Sequence, residues 1–516
     1  MLPLRVVFLW HYHQPDYRWQ GRALLPWVRL RAVKDYLPLF RFFAELADFR
    51  CVFNVVPSLL QQLVDYAAGH PLDTMEELSL WASAGGPEQQ RQPYWKMVEP
   101  PRPLLRRFPE LEAIWQRWQA GELLEEQEWR DLQMWLQLVW MAPHRSAMPV
   151  VDEWFRRARG FRGDDLCMLV RLQRALAGEA LSALRWAIGN GGIELSCSPF
   201  YHPVLPLVCD TDAARESDPE LPLPHPPFRF PADTWMHCVR ARQLCWMLLG
   251  RVPEGMWPPE GALSTEALHW MAASGVRWTA TDEVQLFRSL PSAPTLQKYL
   301  PHRILTPAGP LVVFFRDREL SDVISFRYWE WGPERAVEDL FRHLWDIRSE
   351  LLRTYGEGIM RVASVMIAVD GENCWDSYPD DGVSFLRALV ERFRTEPWVT
   401  TATCQDVLKE AEEGELPKLP RFHTGSWVEG SLRIWIGTEQ HNEAWELLRT
   451  AREELEATRH RLPPEVWKRA YEHLLVAEGS DWFWWLSPEH PTPAAPVFRE
   501  LFRRHVAAAL DYTRGL

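Results

Sequence analysis

Two carboxylates are the strongest candidates for acid–base chemistry. Glu260 follows the stiff segment Trp257-Pro258-Pro259, which fixes the direction of its side chain, and Asp370 ends an apolar run and precedes a glycine. An acidic group directly after an apolar strand is costly to bury without a partner. Each also has an ordinary explanation, because Glu260 could favour a helix predicted from Thr265 and Asp370 could be an Asp-Gly turn residue. The two ordinary explanations together are less favoured than either alone.

A pair of carboxylates that face each other across a cleft suits the cleavage of a glycosidic bond. One attacks the anomeric carbon and forms a covalent glycosyl-enzyme, while the other protonates the leaving oxygen and later activates water. Neighbouring carboxylates raise each other's pKa, so that one stays neutral while the other is charged. For a retaining route we expect a carboxyl separation of about 5–5.5 Å. The 29 tryptophans could supply flat apolar platforms for sugar rings.

Two histidines in WHYHQPDY, His11 and His13, follow the first apolar run. Histidines one residue apart could be metal ligands, sugar-binding groups or packing residues. Metal binding would indicate a metal-dependent, carbohydrate deacetylase-like enzyme. Side chains two apart converge only where the strand persists, and no third ligand is obvious in the sequence. We therefore expect no metal and no cofactor.

The pattern of apolar runs indicates a barrel that would bring these residues together. Apolar runs predict strands at 4–10, 51–56, 193–195, 255–257, 278–281, 311–315 and 362–369, with helical periodicity between most of them. Strands that alternate with helices over some 400 residues favour an α/β barrel, in which the loops after the strands build the active site. Acidic or imidazole side chains follow five of these strands, including Glu194 after Ile193.

Two helical segments interrupt or follow this alternation. Helical periodicity dominates from about 57 to 187 and again after about residue 400. We predict a catalytic barrel over 1–400 with a helical insertion at about 57–187, and a C-terminal helical domain over 401–516.

Composition excludes several classes of protein. The net charge of −13 argues against nucleic-acid binding, which needs a basic surface, and is compatible with a neutral substrate. We expect no membrane association, because no run approaches the roughly 18 apolar residues of a membrane span. The eight cysteines form no CxxC pair, and no secretory signal is visible. These features favour the cytoplasm and leave the oligomeric state open.

Five ordered segments resemble the family 57 glycoside hydrolases. They are HYHQP within 10–17, GGIEL at 191–195, GMWPPEG at 255–261, VDGENCW at 369–375 and EGSDWFWW at 478–485. Three further segments, RDRELSDVISFRY (316–328), GSW (425–427) and IWIGTEQHNEAWELL (434–448), look most like the amylopullulanase and glycogen-debranching branch and less like the branching-enzyme branch. Asp16 and Ser487-Pro488-Glu489 depart from the pattern of the relatives.

The resemblance implies a fold and a set of roles. It implies an incomplete, TIM-like (β/α)7 barrel with a helical insertion and a C-terminal α-helical domain that completes the active site. It implies Glu260 as the nucleophile and Asp370 as the acid/base. It also implies substrate-binding roles for seven further residues, namely His11, His13, Glu194, Trp257, Trp375, Asp481 and Trp482.

The function implied is a retaining hydrolase of α-1,4 or α-1,6 bonds, or both, in α-glucans such as starch, glycogen, pullulan or maltooligosaccharides. A 4-α-glucanotransferase or branching-type transglycosylase would use the same intermediate. The choice depends on acceptor subsites and on water exclusion, which the motifs do not encode. The deacetylase-like enzyme and a non-catalytic sugar-binding protein are less favoured, the latter because mere binding does not need the Glu260 and Asp370 pair.

Overall fold

Seven parallel strands form a closed barrel in the computed structural model, which describes residues 2–70, 73–83, 92–411 and 416–515. We number the barrel strands β1 to β7, and their bounds are Leu4–Tyr12, Cys51–Val55, Ile193–Cys197, Gly255–Met256, Trp278–Asp282, Gly309–Arg316 and Ser364–Asp370. They pair in chain order, and β7 pairs with both β1 and β6 to close the ring. The predicted (β/α)7 barrel is confirmed.

The strands are apolar because they are buried on both faces. All nine residues of β1 are buried, as is typical of parallel strands covered by helices. The barrel interior is a packed core of Val7, Leu9, Val52, Trp257, Trp278, Ala280, Phe314, Met366 and Ala368. The strand Val399–Thr401 pairs with the start of β1, and the next helix, Cys404–Glu410, packs Cys404 and Val407 against this core. Residues just past the predicted boundary at 401 therefore close the N-terminal end of the barrel.

Helices fill the long connection between β2 and β3. Their bounds are Pro57–Ala67, Thr74–Ser83, Gln92–Met97, Arg102–Arg106, Pro109–Gln119, Glu126–Leu138, Pro149–Arg157 and Gly163–Gly189. The connection between β1 and β2 holds the helices Trp27–Arg31 and Leu37–Ala44, joined by one turn of π-helix, Ala32–Tyr36. π-Helical turns are rare, occur mostly within α-helices and are frequent at functional sites.

The remaining helices surround the barrel or follow it. Those after β3 and around the barrel are Leu205–Cys209, Pro231–Leu249, Thr265–Ala273, Glu283–Ser289, Arg318–Phe326, Pro333–Tyr355 and Val383–Thr395. The C-terminal helices are Glu439–Thr458, Pro464–Ala477, Ser480–Leu486 and Ala495–Arg514. Within the described ranges, none of these helices has both the length and the apolar character that crossing a bilayer requires.

A buried ion pair joins the C-terminal helices to the barrel. Arg452 donates to both oxygens of Asp233 at 2.8 and 3.1 Å, and the Tyr471 hydroxyl donates to the same carboxylate at 2.5 Å. Removing one partner of such a pair costs about 3–5 kcal/mol, because the other charge is left buried alone. This contact anchors the C-terminal helices and thereby positions Ser480–Leu486 over the C-terminal end of the barrel.

Candidate active site

A cleft of about 490 Å³ opens at the C-terminal ends of the barrel strands. Five of the predicted site residues line it, namely His11, His13, Glu260, Asp370 and Asp481. They come from the ends of β1 and β7, the loop after β4 and the helix Ser480–Leu486. Residues far apart in the sequence therefore meet at one point, as in other barrels of this type.

Glu260 sits in a strained backbone conformation and is held by three hydrogen bonds. Its φ of 59° and ψ of 21° are left-handed, which costs roughly 1–2 kcal/mol for a residue with a side chain. The Trp427 backbone N–H donates to the Glu260 carbonyl at 3.0 Å, and the Trp427 indole donates to Oε2 at 3.2 Å. The Ser480 hydroxyl donates to Oε1 at 3.4 Å. These contacts fix the carboxylate toward the cleft.

Asp370 lies beside His11, because β7 and β1 pair with these two residues in register. The glycine after it is required by a close approach: a Cβ on Gly371 would lie 2.2 Å from Cε1 of Tyr12. The requirements of an Asp-Gly turn therefore do not fully explain why Asp370 is followed by a glycine. Three strand steps separate β7 from β4 on one side of the ring and four on the other. Asp370 and Glu260 thus face each other across the barrel mouth.

Burial raises the pKa of both carboxyl groups of this pair. The pKa of Glu260 rises to about 8, chiefly because of burial and then because of the charges of Asp481 and Asp370. Burial also raises the pKa of Asp370, against the opposing effects of Asn373, His13 and Arg316. The pair therefore retains a proton near neutral pH, as acid catalysis requires.

Three histidines stack in the cleft. The ring centroids of His13 and His202 are 3.8 Å apart, and those of His11 and His202 are 5.3 Å apart. Burial, with a contribution from His13, lowers the pKa of His11 to about 3 and that of His202 well below its usual range. His11 Nδ1 lies 2.7 Å from Asn54 Oδ1, which only accepts, so this nitrogen carries the proton. The other nitrogen, Nε2, is left to accept a hydroxyl proton.

The helix Ser480–Leu486 completes the site. Nδ1 of His202 donates to Ser480 Oγ at 2.9 Å, and this hydroxyl in turn donates to Glu260. Nε2 of His13 lies 2.9 and 3.1 Å from the two oxygens of Asp481. The C-terminal segment therefore supplies both a donor to Glu260 and a carboxylate to the cleft.

A fourth carboxyl group, that of Glu372, lies next to Asp370. Its Oε1 accepts from the Tyr36 hydroxyl at 3.2 Å and from the His13 backbone N–H at 3.3 Å. Burial and the neighbouring Asp370 raise its pKa well above the usual range. The π-helical turn Ala32–Tyr36 brings Tyr36 to this carboxyl.

The cleft combines ionisable carboxyl groups with neutral imidazoles. Glu260, Asp370 and Asp481 line it together with the uncharged rings of His11 and His202. Such a site disfavours anions and stabilises positive charge, which develops on a sugar ring in an oxocarbenium-like transition state.

Four predicted site residues lie outside the cleft lining. Glu194 accepts from the Trp278 indole at 2.8 Å and from the Gln405 N–H at 2.9 Å. These contacts place it at the N-terminal end of the barrel, where burial raises its pKa to about 7. Trp257 lies in the barrel interior, 5.5 Å from the Trp427 ring. Trp375 packs on Trp10 and Trp482 donates to the Val476 carbonyl, both within the core.

Other tryptophans line the cleft instead. Trp27 and Trp140 come from helical segments near the cleft. Trp427 comes from the loop after Cys404–Glu410, and Trp484 and Trp485 come from the helix Ser480–Leu486. Trp427 belongs to the GSW segment, and Trp484 and Trp485 belong to EGSDWFWW. His202, which the sequence analysis missed, follows β3 in SPFYHP, so a search for imidazoles after each strand would have found it.

The acidic segment after β6 has a structural role. Asp317 caps the helix Arg318–Phe326 by accepting from the Leu320 N–H at 2.9 Å, and it also accepts from the Tyr299 hydroxyl. Arg316 donates to Asp282 at 2.8 Å and lies 5.1 Å above the Trp427 ring. This segment therefore supports Trp427.

The two departures from the family pattern have local partners. The Asp16 carboxylate accepts from the backbone N–H and the guanidinium of Arg18 at 2.7–3.0 Å. After Ser487-Pro488-Glu489, the His490 ring stacks on Trp484 with centroids 3.8 Å apart. Asp16 therefore orders the turn after β1, and the C-terminal turn supports a tryptophan of the cleft.

A metal has potential ligands in the cleft, although the sequence offered no obvious third one. Ligand atoms of His13, His202 and Asp481 lie within 4.8 Å of one another. The two rings are stacked with an angle of 18° between their planes, and His13 already donates to Asp481. Lone pairs of parallel stacked rings do not converge on one ion. The arrangement is a hydrogen-bonded pair beside a stacked ring rather than a coordination shell.

Comparison with solved structures shows a shared fold at low sequence identity. The chain is similar to a branching enzyme from Thermococcus kodakaraensis, with 18% identity, a TM-score of 0.59, and 98% of this chain and 88% of that chain covered. It is similar to the α-amylase AmyC from Thermotoga maritima, with 15% identity, a TM-score of 0.60 and coverage of 99% and 93%. A 4-α-glucanotransferase from Thermococcus litoralis shares 14% identity, with a TM-score of 0.54 and coverage of 99% and 60%.

A search of curated proteins found no match. The sequence model described as "Glycosyl hydrolase family 57" matches residues 7–420, which is most of the chain and includes His11, His13, Glu260 and Asp370. The chain therefore belongs to glycosyl hydrolase family 57.

Proposed function

We propose that this protein is a retaining α-glucan hydrolase that cleaves α-1,4 bonds, α-1,6 bonds or both. The observation that carries the proposal is the pair of partly buried carboxyl groups, Glu260 and Asp370, on opposite sides of a tryptophan-lined cleft. The relatives of similar fold are described as acting on glucans, which supports this substrate class.

In the first step, the Glu260 carboxylate attacks the anomeric carbon. The bond from that carbon to the glycosidic oxygen breaks, and the Asp370 proton moves to this oxygen, so the leaving sugar departs as an alcohol. The indole of Trp427 and the hydroxyl of Ser480 hold the attacking carboxylate in place. Such preorganisation avoids reorientation during the reaction.

In the second step, the Asp370 carboxylate removes a proton from water. The water oxygen attacks the anomeric carbon and the ester bond to Glu260 breaks, which restores both groups and retains the anomeric configuration. If a sugar hydroxyl enters instead of water, the same enzyme performs transfer. Transfer is the second candidate, because cleft tryptophans such as Trp27 and Trp484 offer platforms for an acceptor sugar.

The decisive experiment is a product profile on amylose, pullulan and glycogen, with labelled glucose added as an acceptor. Hydrolysis releases reducing sugars without labelling longer chains, whereas transfer places the label in oligosaccharides. Pullulan products separate α-1,6 from α-1,4 cleavage, which also tests the resemblance to the amylopullulanase branch. NMR of the first-formed anomer tests the mechanism, since an inverted product would exclude a glycosyl-enzyme on Glu260.

A further inference from the structure

The side chain of Asn373 lies between a buried arginine and the candidate acid/base. Arg31 Nη2 donates to Asn373 Oδ1 at 3.1 Å, and Asn373 Nδ2 lies 3.5 Å from Asp370 Oδ2. Asn373 begins a short 3-10 turn, Asn373–Ser377, and lines the cleft. In the described part of the chain, it is the side chain that donates to the Asp370 carboxyl.

Arg31 is itself fixed in place. It donates to both oxygens of Asp376 at 2.8 and 2.9 Å and to Asp35 at 3.0 Å, and its guanidinium lies 5.0 Å above the Trp140 ring. The side chain is 8% exposed. A guanidinium only donates hydrogen bonds, so Asn373 must turn its oxygen toward Arg31. The contact with Arg31 thus fixes the orientation of the Asn373 amide, with its NH₂ group toward Asp370.

We propose that Asn373 is a positioning residue for the acid/base, oriented by Arg31. Its N–H holds Oδ2 of Asp370, and Oδ1 is left as the oxygen that carries the transferable proton. A proton on Oδ2 that pointed toward Asn373 would meet its N–H, donor against donor, so the contact favours the neutral carboxyl with its proton on Oδ1. This inference rests on the proposed function, in which Asp370 transfers that proton.

Charged groups on several elements face Asp370 and also affect its pKa. His13 after β1, Arg316 at the end of β6 and Arg31 favour its ionised form. Glu372 in the same loop and Glu260 across the cleft are the neighbouring carboxyl groups, and the charge of Asp370 raises the pKa of both. The hydrogen bond from Asn373 likewise favours the ionised form of Asp370. Loss of this hydrogen bond therefore raises the pKa of Asp370.

The test compares two substrates that differ in their need for a proton. A maltooligosaccharide leaves as an alcohol and needs the acid, whereas fluoride leaves from an α-maltooligosyl fluoride without one. The variant Asn373→Asp keeps an oxygen toward Arg31 but places an oxygen instead of N–H against Asp370, and Asn373→Ala removes both contacts. The matched control is Gln440→Glu, an exposed amide-to-carboxylate change on the remote helix Glu439–Thr458.

We expect both Asn373 variants to lose about 10- to 100-fold in kcat on maltooligosaccharides, a part of the roughly 10²- to 10⁴-fold contribution of general acid–base catalysis. The first-turnover burst of fluoride should change by less than about 3-fold. The basic limb of the pH profile should move to higher pH, because the ionised acid/base has lost its donor. Gln440→Glu should match the wild type.

Three results would count against the proposal. Equal losses of rate on both substrates would assign Asn373 a structural role. Wild-type rates and an unmoved basic limb in Asn373→Asp would refute the positioning role of Asn373 and leave the proposed function in place. A wild-type protein that releases neither sugar nor fluoride would overturn the proposed function and this inference with it.

Discussion

Trp427 binds Glu260 twice, through its backbone N–H to the carbonyl and through its indole N–H to the carboxylate. The backbone bond supports the left-handed conformation of Glu260, and the indole bond stabilises the ionised carboxylate. A single residue from the loop after the barrel thus holds the candidate nucleophile in position and favours its ionised form against the effect of burial.

Replacing Trp427 by Phe tests the indole bond without removing the ring. We expect kcat to fall about 10-fold, the scale of one hydrogen bond to a charged group, and the acidic limb of the pH profile to move to higher pH because Glu260 has lost a donor. The control is Trp345→Phe on the exposed face of Pro333–Tyr355. An unchanged rate and pH profile would show that the indole bond is unimportant.

Glu260→Gln and Asp370→Asn should each reduce the hydrolysis rate by about 10³-fold or more while maltooligosaccharide binding, measured by calorimetry, persists. The double variant should be little worse than either single one, because groups that act as a unit are strongly non-additive. Glu266→Gln, an exposed residue near Glu260, serves as the control. Full hydrolytic activity in Glu260→Gln would refute the proposed mechanism.

The pH profile should respond to Asp481. Its negative charge is the second cause, after burial, of the raised pKa of Glu260. In Asp481→Asn this charge is absent, the pKa of Glu260 falls, and the nucleophile stays ionised to lower pH. We expect the acidic limb of kcat/KM to move down by roughly half to one pH unit, with Asp511→Asn as a remote control. An acidic limb that stays in place would contradict the electrostatic role of Asp481.

Gly371→Ala should disturb the loop that carries Asp370. The added methyl group would overlap the Tyr12 ring, so we expect a loss of about 1–3 kcal/mol in the free energy of unfolding and a marked loss of activity. Gly358 has open space around its Cβ position, and Gly358→Ala is the matched control. Urea unfolding measures both. Equal stability of the two variants would mean that Tyr12 moves aside without cost.

Chelation should leave activity unchanged. The stacked arrangement of His13 and His202 does not form a coordination shell, and the proposed mechanism uses carboxyl groups alone. Activity is measured on maltooligosaccharides after dialysis against EDTA, with a mock-dialysed sample as control. A loss that added Zn²⁺ restores would favour the metal-dependent alternative.

The barrel was predictable from sequence because its strands are continuous apolar runs. Strand β1 is buried along its whole length, and β7 is buried except at Asp370. Even the two-residue strand β4, Gly255–Met256, falls within the strand predicted at 255–257. Only the structure shows why position 255 is a glycine: a Cβ there would lie 1.9 Å from the Trp278 indole.

The cleft lining was less predictable, because nearness in sequence does not fix the direction of a side chain. Trp375 lies five positions after Asp370, yet it points into the core toward Trp10. Glu194 lies at the start of β3, at the opposite end of the strand from the cleft. His202 and Trp427 reach the site from loops whose paths depend on tertiary packing. Strand ends could be read from periodicity, but these loop paths could not.

The contact between His13 and Asp481 joins positions 468 residues apart. On the ribosome, the histidine and the barrel strands are made long before the helix that supplies Asp481 and Ser480. Until that helix docks, Glu260 lacks the Ser480 donor and the cleft lacks one wall. If the proposed function holds, we expect the growing chain to lack activity on glucan until this helix has docked.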